Sequence, residues 1–340
     1  MRQAFVLLLC LAIATNGDRF VKASSDKLVL TGCSHIEYGP DGSAVMHRLD
    51  SSLFLDPEFL FERKRAETQS GIALRFSTNS AHLSLSINHN PGGMQRKATF
   101  WFGVFCDGEY LCDIPGDRPS FSAPSQGMHD YEIVFPIMYQ TDLKGIILDK
   151  GSRLRRPGKS RRNLYFAIGD SITHGTGQRD HGSQQTYAWQ MANACGLELY
   201  NLAVGGSCIS KGICRELEGR KAELITVLWG YNDWMQTKGD LECIRSRFND
   251  FMQELVRVQP DARIVVILPT PSREESYEGF GCSLGDVRDT EEEIALSLGR
   301  PGIIIVRGDE LVSPEDLSDK VHLSNQGASV LARALKERLD

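Results

Sequence analysis

Residues 166–177 read FAIGDSITHGTG, in which an apolar run stops at Gly169 and an acid and a serine follow at once. Two more glycines, Gly175 and Gly177, come within eight residues of that point. A short apolar run bounded by glycine is typical of a buried strand, and glycine permits tight turns that other residues resist. The stretch therefore predicts a strand that ends at Gly169 and holds Ser171 in a tight polar turn.

Four similar apolar runs follow this stretch, and a segment long enough for a helix separates each run from the next. Such runs suit strands that are buried on both faces, as in parallel sheets covered by helices. The region is thus predicted to be a doubly wound α/β domain with a parallel sheet. The runs are LELYNLAV at 197–204, LITVLW at 224–229, RIVVILP at 263–269 and GIIIVR at 302–307, with helices predicted at 184–194, 241–258 and 325–339.

The preceding region, from about residue 34 to residue 150, alternates apolar and polar residues with a period of two, as in HLSLSIN at 82–88. This alternation is typical of half-buried strands and predicts an antiparallel β-sandwich. Residues 149–163 then carry seven Lys or Arg with a proline and two glycines, which indicates a solvated linker. The predicted division is a sandwich domain at 30–150, a basic linker at 151–162 and an α/β domain at 163–340.

The N-terminus has the features of a secretory signal peptide. Arg2 supplies the basic start, residues 4–14 form an apolar stretch, and Ala12, Ile13 and Ala14 offer a small-residue cleavage site. The apolar stretch is too short to span a bilayer. We therefore predict a signal peptide at 1–14, a secreted or periplasmic location and no membrane anchor.

Eight cysteines remain after that peptide, an even number that is compatible with disulfides in an exported protein. Cys106 with Cys112, and Cys208 with Cys214, are each close enough in sequence to close a small loop. Spacing alone does not fix connectivity, so disulfides and buried free thiols both remain open. Neither pair has the spacing of a metal site, and no metal is predicted.

Polar residues directly follow three of the predicted strands, and further polar residues lie in one late loop. Gly169 is followed by Asp170 and Ser171, and further along the chain come Gly205 and Gly206 in NLAVGGS, Asn232 in WGYND, and Asp319 and His322 in SDKVHLS. Because ligands of such sheets bind outside the carboxyl ends of the strands, we expect these residues to lie together.

Their types fit acyl transfer through a nucleophile. A serine hydroxyl needs a base to take its proton, the base needs a partner that fixes its tautomer, and the oxyanion needs N–H donors. Ser171 is the predicted nucleophile, His322 the base and Asp319 its partner. The predicted oxyanion donors are the Ser171 N–H, an N–H of the 205–206 turn and the Asn232 amide.

Each residue also has an ordinary structural interpretation: a serine after Gly-Asp often caps a helix, a Gly-Gly pair forms a turn, and Asn-Asp forms an Asx turn. Their joint occurrence at strand ends favours a site. Aromatic residues flank Asn232, and they suit either packing or stacking on a sugar ring. The candidates for lining the substrate pocket are Asp170, His174, Gly205, Tyr231 and Asp233.

Together, GDSIT, NLAVGG, GYND and DKVH resemble the four sequence blocks of the SGNH or GDSL hydrolase superfamily. The resemblance implies a flavodoxin-like, three-layer α/β/α domain that hydrolyses esters without a metal or other cofactor. It implies the roles given above for Ser171, Asp319, His322 and Asn232. It also favours Gly206 over Gly205 for the oxyanion hole, because the block-two glycine falls five residues after an asparagine, here Asn201.

The last block departs from the family pattern at Lys320 and Leu323, where many members have glycine and proline. The sandwich ahead of the α/β domain is similar to bacterial two-domain SGNH esterases and to the second carbohydrate-esterase family, in which a jelly-roll precedes the catalytic domain. The Gly-x-Asp-Leu-Tyr motif common on the sandwich of the first group is largely lost after Gly103. The G-x-S-x-G pattern of α/β-hydrolases is not met, because Thr173 stands two residues after Ser171.

The leading hypothesis is a secreted serine esterase that hydrolyses short acyl esters, above all acetyl esters on carbohydrate. The alternatives are a lipid or aryl-ester acylhydrolase, which a chain-length preference would distinguish, and a non-catalytic secreted glycan-binding protein. The formal net charge of -6 argues against a nucleic-acid partner. The expected partner is a small acyl ester or an acetylated carbohydrate, and the sequence does not predict an oligomeric state.

Overall fold

The computed structural model describes residues 17–55, 61–89, 100–158, 163–178 and 181–340. The predicted signal peptide at 1–14 lies outside the described residues, as do residues 159–162 of the predicted linker. Among the described residues, no helix has both the length and the apolar character needed to cross a membrane.

The first part of the chain forms two six-stranded antiparallel sheets. Alternate residues of each strand point to opposite faces, so Leu83 and Leu85 are buried whereas Ser84 and Ser86 are only partly buried. The inward faces of the two sheets form one apolar core, as in a β-sandwich. The strands are β1 (Arg19–Lys22), β2 (Val29–Thr31), β3 (His35–Tyr38), β4 (Ala44–His47), β5 (Ala73–Thr78), β6 (His82–His89), β7 (Trp101–Cys106), β8 (Glu109–Pro115), β9 (Ser120–Ser122), β10 (His129–Val134), β11 (Thr141–Leu148) and β12 (Leu154–Arg155).

The two sheets have the orders β3-β4-β11-β6-β9 and β12-β5-β10-β7-β8. Strand β1 pairs with β11 of the first sheet, and β2 pairs with β5 of the second. Strand β12, which lies within the predicted linker, also pairs with β5. A short helix, α1 (Arg63–Ala66), stands between β4 and β5.

The second part of the chain is a five-stranded parallel sheet of order β14-β13-β15-β16-β17. This is the flavodoxin-like order, in which the second strand lies at one edge and the later strands extend the other side. The predicted α/β class with a preceding β-sandwich is confirmed. The elements are β13 (Leu164–Gly169), α2 (Ser171–His174), α3 (Tyr187–Cys195), β14 (Glu198–Asn201), β15 (Ala222–Leu228), α4 (Tyr231–Thr237), α5 (Leu241–Val258), β16 (Arg263–Leu268), α6 (Leu284–Ser297), β17 (Ile303–Arg307), α7 (Gly308–Leu311) and α8 (Asn325–Leu339).

Both faces of this sheet are buried. Along β13, Phe166 and Ile168 belong to one apolar core, and Tyr165 and Ala167 belong to the core on the opposite face. Helices cover each face, because α5 and α6 contribute to the first core and α3 and α8 to the second. The continuous apolar run that predicted the strand reflects this burial on both sides.

The sandwich and the α/β part share these cores. Phe105 and Val134 of the sandwich pack in the same apolar cluster as Trp189 of α3, and the Phe105 and Trp189 ring centroids are 5.9 Å apart. Leu49 and Leu53, which follow β4, join the core on the other face of the sheet. The two parts therefore pack through continuous apolar contacts.

All eight described cysteines are free thiols. The two disulfides considered from the spacing, Cys106 with Cys112 and Cys208 with Cys214, are not formed. Cys106, Cys208 and Cys214 are buried. The alternative of buried free thiols is the one the structure contains.

Candidate functional site

Ser171 is the first residue of α2, immediately after the carboxyl end of β13. The Asp170 side chain caps this short helix by accepting the Ile172 N–H at 2.9 Å. Gly169 is required at the end of the strand, because a Cβ there would clash with Thr173 Oγ1 and the Leu228 carbonyl. The strand end and the capped turn together fix the position of the serine.

Ser171, His322 and Asp319 form a continuous hydrogen-bonded chain. His322 Nε2 lies 2.9 Å from Ser171 Oγ, and His322 Nδ1 lies 2.8 Å from Asp319 Oδ2. Because an ionised carboxylate only accepts hydrogen bonds, Nδ1 carries the proton and Nε2 is left to accept the serine hydroxyl. The geometry is that of a nucleophile, a base and a group that orients the base.

Asp319 is held ionised by its surroundings. Partial burial acts to raise its pKa, but the backbone N–H groups of His322 and Val321 and the His322 ring together lower that pKa to about 2. The two N–H groups donate to Oδ1 at 2.9 and 3.0 Å, so the carboxylate is fixed in place as well as charged. Its side chain is 48% exposed, so much of the charge faces solvent.

The loop that carries His322 lies against the end of the opening stretch. A Cβ on Gly177, whose φ is +104°, would lie 2.5 Å from the Leu323 carbonyl oxygen and 2.9 Å from His322 Cβ. Gln178 Nε2 donates to that carbonyl at 2.8 Å. The second glycine after Ser171 therefore permits the close approach of the histidine loop.

Two of the three predicted oxyanion donors are backbone N–H groups, those of Ser171 and Gly206. The described structure gives no hydrogen-bond partner to the backbone N–H of Ser171 or of Gly206, and Gly206 has a φ of +85°. The N–H of Gly205, by contrast, donates to His174 Nδ1 at 3.0 Å. This difference supports Gly206 as the glycine donor.

Asn232 stands in the first turn of α4, with its side-chain amide directed toward the serine turn. Its Nδ2 donates to the Ser207 carbonyl at 3.0 Å and to Asp170 Oδ2 at a longer 3.3 Å. Asp170 is buried, and burial together with the charge of Asp233 raises its pKa to about 7. Asp233 is itself buried, and its Oδ1 accepts a hydrogen bond from Arg247 Nη1 at 3.0 Å.

Four of the five pocket candidates, all but Tyr231, are buried. Asp170, His174 and Asp233 are each at most 2% exposed. Tyr231 remains partly exposed, and Gly205 lies beside Ser171, since a Cβ on it would be 3.6 Å from Ser171 Cβ. We therefore propose that Asp170, His174 and Asp233 support the site and that Gly205 and Tyr231 border it.

His174 has a fixed tautomer. Because its Nδ1 accepts the Gly205 N–H, its Nε2 carries the proton and donates to Thr68 Oγ1 at 2.8 Å. The Thr68 hydroxyl in turn donates to the Arg65 carbonyl at 2.7 Å. Residues of the sandwich part thus anchor the histidine that holds the 205–206 turn.

A buried arginine of the sandwich part, Arg48, supports the same turn. Its guanidinium donates to five backbone carbonyls and lies 3.5 Å from His174 Nε2, and burial lowers its pKa to about 9. Sequence analysis did not single out this residue, because nothing in its local pattern distinguishes it. The accepting carbonyls are those of Arg65, Ala66, Thr68, Asn201 and Ala203.

One group of described residues away from this site has atoms suited to hold a metal ion. Cys106, Asp107 and His129 place their ligand atoms within 4.8 Å of one another at the β7–β8 hairpin. Burial raises the pKa of the Cys106 thiol to about 11, and His129 Nδ1 already pairs with Asp107 at 2.7 Å. The Cys106 thiol is therefore protonated, and the His129 ring is already hydrogen-bonded to Asp107. We interpret this group as a hydrogen-bonded turn and not as a metal site.

Part of the chain matches a known protein family. Residues 167–330 match the model of the GDSL-like Lipase/Acylhydrolase family. No curated protein sequence matches this chain significantly.

Solved structures match the chain over almost its whole length. The salicylyl-acyltransferase SsfX3 from a tetracycline biosynthetic pathway has a TM-score of 0.80 at 20% identity and covers 96% of this chain and 98% of its own. A family two carbohydrate esterase from Cellvibrio japonicus has a TM-score of 0.64 at 16% identity, covering 95% and 97%. The acetyl xylan esterase Est2A from the rumen bacterium Butyrivibrio proteoclasticus has a TM-score of 0.63 at 14% identity, covering 95% and 98%.

These structural likenesses establish the fold of both parts, a sandwich followed by the parallel-sheet domain. The family match covers the segment that contains Ser171, Gly206, Asn232, Asp319 and His322. Residues 167–330 therefore form a GDSL-like lipase/acylhydrolase domain, and a β-sandwich precedes it in the chain.

Proposed function

We propose that this protein is an exported serine esterase that hydrolyses short acyl esters of carbohydrate, acetyl esters above all, through an acyl-enzyme on Ser171. The observation that carries the proposal is the chain from Ser171 Oγ through both ring nitrogens of His322 to Asp319, with links of 2.9 and 2.8 Å. No other feature of the site brings a nucleophile, a base and an orienting carboxylate into contact among the described residues.

In the acylation step, Ser171 Oγ attacks the ester carbonyl carbon while His322 Nε2 takes the hydroxyl proton. Asp319 stabilises the imidazolium that forms, and it keeps Nδ1 protonated throughout. The negative charge on the former carbonyl oxygen is stabilised by the N–H groups of Ser171 and Gly206 and by Asn232 Nδ2. Asn232 Nδ2 makes two hydrogen bonds, and the one to Asp170 is the longer, at 3.3 Å against 3.0 Å to the Ser207 carbonyl. In this mechanism, Nδ2 gives up the bond to Asp170 and donates to the oxyanion instead.

His322 then gives its proton to the departing alcohol oxygen, and the acyl group remains on Ser171. A water molecule takes the place of the alcohol, His322 accepts its proton, and the hydroxide attacks the acyl carbonyl. As the second tetrahedral intermediate collapses and the bond from the acyl carbon to Ser171 Oγ breaks, His322 Nε2 returns its proton to Oγ, which releases the carboxylic acid and restores the serine hydroxyl.

Two observations support the substrate class and the location. The family two carbohydrate esterase and the acetyl xylan esterase share the full two-part fold with this chain. The sequence of residues 1–14 has the order of a signal peptide, which would deliver the enzyme to a compartment where acetylated polysaccharides occur.

A second candidate, acyl transfer to an alcohol other than water, is favoured by the likeness to salicylyl-acyltransferase SsfX3 at a TM-score of 0.80. Both reactions pass through the same acyl-enzyme and differ only in which hydroxyl attacks it. Product analysis with and without an added sugar alcohol therefore distinguishes them: a transferred ester in the presence of the acceptor would favour the transferase.

The test of the main proposal is the hydrolysis of p-nitrophenyl acetate, butyrate and octanoate by the chain without residues 1–14 and by its Ser171→Ala variant. Ser246→Ala, an exposed position on α5, is the matched control. We expect acetate to be hydrolysed fastest, and kcat to fall at least about 10³-fold in Ser171→Ala alone. Equal rates for all three proteins would refute the serine mechanism, and preference for octanoate would favour a lipid acylhydrolase.

A further inference from the structure

A cationic side chain from the sandwich part lies over the 205–206 turn. Arg65 belongs to α1, and its Nη1 donates to the Gly205 carbonyl at 3.0 Å. A Cβ on Gly206 would lie only 2.8 Å from the same nitrogen. The guanidinium therefore covers the glycine whose N–H is the candidate oxyanion donor.

The same side chain borders the space around the nucleophile. A Cβ on Gly205 would lie 3.6 Å from Arg65 Cδ, 3.6 Å from Ser171 Cβ and 3.4 Å from Met138 Cε. Arg65 and Met138 are thus each within about 7 Å of the Ser171 side chain. They lie around the space that a side chain at Gly205 would fill. Both come from the sandwich part of the chain.

The guanidinium keeps one edge available for a ligand. Its Nε pairs with Glu62 Oε2 at 2.7 Å, and one hydrogen of Nη1 is taken by the Gly205 carbonyl. Within the described part of the chain, no group accepts a hydrogen bond from Nη2. The side chain is 35% exposed although its Nε is buried, so other parts of the side chain are open to solvent.

We propose that Arg65 is an anion-binding residue of the active site and that it binds a carboxylate carried by the ester substrate. The proposal rests on the esterase function proposed above and narrows its substrate class to acidic esters. A guanidinium presents two parallel N–H donors that match the two oxygens of a carboxylate. Two sources supply such a group: a uronic acid that carries the acyl ester, and a dicarboxylic acyl group.

The test compares two pairs of substrates that differ only in charge. The first pair is O-acetylated galacturonate and its methyl ester, and the second is p-nitrophenyl hemisuccinate and its methyl ester. We expect kcat/KM to be higher for the charged member of one pair, which identifies the source of the carboxylate. In Arg65→Gln, kcat/KM for that member falls by roughly 10- to 100-fold, mainly through KM, because a charge-assisted hydrogen bond is lost.

Matched variants separate recognition from structural support. Arg63→Gln removes a neighbouring charge on the same helix that is 71% exposed and pairs with Glu67, so it leaves the preference unchanged. Glu62→Gln leaves Arg65 without its counter-ion and increases the preference for the charged ester. Arg65→Lys retains part of the preference, because it keeps the charge but loses the planar pair of donors.

Three results would overturn the proposal: no preference for charge in the wild-type enzyme, an equal loss on charged and neutral esters in Arg65→Gln, or a loss of the same size in Arg63→Gln. Titration of galacturonate or succinate into Ser171→Ala, with galactose or monomethyl succinamide as neutral controls, measures the same recognition without turnover. Arg65 thus remains testable even if the serine mechanism fails. Carboxylate binding that weakens in Arg65→Gln and with added salt supports the proposal.

Discussion

Asp170 links the serine turn to a buried group of acids. It caps α2, accepts a bond from Asn232 and lies near Asp233, and burial with that neighbouring charge raises its pKa to about 7. Because this pKa lies above that of an unfolded aspartate, the folded protein binds a proton that the unfolded chain releases. The contribution of Asp170 to stability is therefore fully present below about pH 4 and is lost as the pH rises to about 7.

Replacing Asp170 by asparagine should flatten this pH dependence, because asparagine still caps the helix but does not titrate. Between pH 5 and pH 7, the wild-type free energy of unfolding should fall by about 2 kcal/mol more than that of Asp170→Asn. Urea unfolding at the two pH values measures the difference. The same slope in both proteins would show that Asp170 does not hold a proton in this range.

Asp319 behaves in the opposite way. Its pKa is lowered to about 2, so its contribution to stability is present above about pH 4 and is lost as the pH falls toward 2. It is ionised at every pH at which an esterase is assayed. We expect Asp319→Asn to lower kcat by about 10³-fold or more, because the asparagine amide favours the wrong tautomer of His322.

The measurement that checks this is kcat/KM across pH 4 to 9 for wild type and Asp319→Asn. Lys320→Gln, whose side chain is 65% exposed and pairs with Glu274, serves as the control in the same loop. A deficit in Asp319→Asn that disappears on the acid side would contradict an aspartate that is ionised throughout.

At the scale of elements, the 205–206 turn depends on a backbone shape that only glycine adopts readily. Gly206→Ala would place a methyl group 2.8 Å from Arg65 Nη1 and force an unfavourable φ of +85°. Gly196→Ala at the end of α3 carries a similar φ of +65° but has open space around it. Both variants should lose about 1 kcal/mol of stability, and only Gly206→Ala should lose activity, by roughly 10²-fold.

Thermal unfolding and p-nitrophenyl acetate hydrolysis of both alanine variants check this. Activity losses of equal size would mean that backbone strain anywhere in the domain lowers the rate, and the turn would then have no special part in catalysis.

The sequence predicted the long elements well. Helices α5 and α8 match the predicted ranges, because their apolar faces have uninterrupted helical spacing. Strand β14 ends at Asn201 although its apolar run continues to Val204. Beyond Asn201, the Leu202 and Val204 N–H groups still donate to carbonyls of β13, at 2.9 and 3.2 Å. The Asn201 and Ala203 carbonyls instead accept from Arg48, a residue from a distant part of the chain.

Some residues of the site could be predicted from their order along the chain, and others could not. Ser171 and Asn232 follow strand ends that the sheet brings together, and His322 follows in a loop with its own aspartate, so their order along the chain was informative. Arg48 reaches the Asn201 and Ala203 carbonyls just before the 205–206 turn, and Arg65 reaches the Gly205 carbonyl, from the sandwich part, about 150 and 140 residues away in sequence. Contacts at such a separation leave no periodic or spacing signal.

At the scale of the whole molecule, the sandwich and the α/β domain are predicted to unfold together. Arg48 satisfies five backbone carbonyls drawn from both parts, and apolar cores run across the junction. We propose that the sandwich unit runs from β1 to β12 and so extends beyond the predicted range of residues 30–150 at both ends. The reason is that β1 pairs with β11 of one sheet and β12 pairs with β5 of the other.

Arg48→Met should lower the free energy of unfolding by about 3 kcal/mol or more, because it leaves buried carbonyls without donors. It should also reduce kcat, since the 205–206 turn loses its support. Arg118→Met, at a side chain that is 82% exposed, is the control. Two separate transitions in differential scanning calorimetry, with only the first shifted by Arg48→Met, would show that the two parts unfold independently.

The free cysteines have a consequence for the conditions under which this enzyme folds and persists. Burial raises the pKa of Cys33 and Cys208 to about 12, and a thiol that stays protonated reacts slowly with oxidants and alkylating agents. No disulfide links the described cysteines, so reduction breaks no bond of the described fold. The mature chain is therefore expected to fold in a reducing cytosol as well as outside the cell, with a melting temperature that dithiothreitol does not shift.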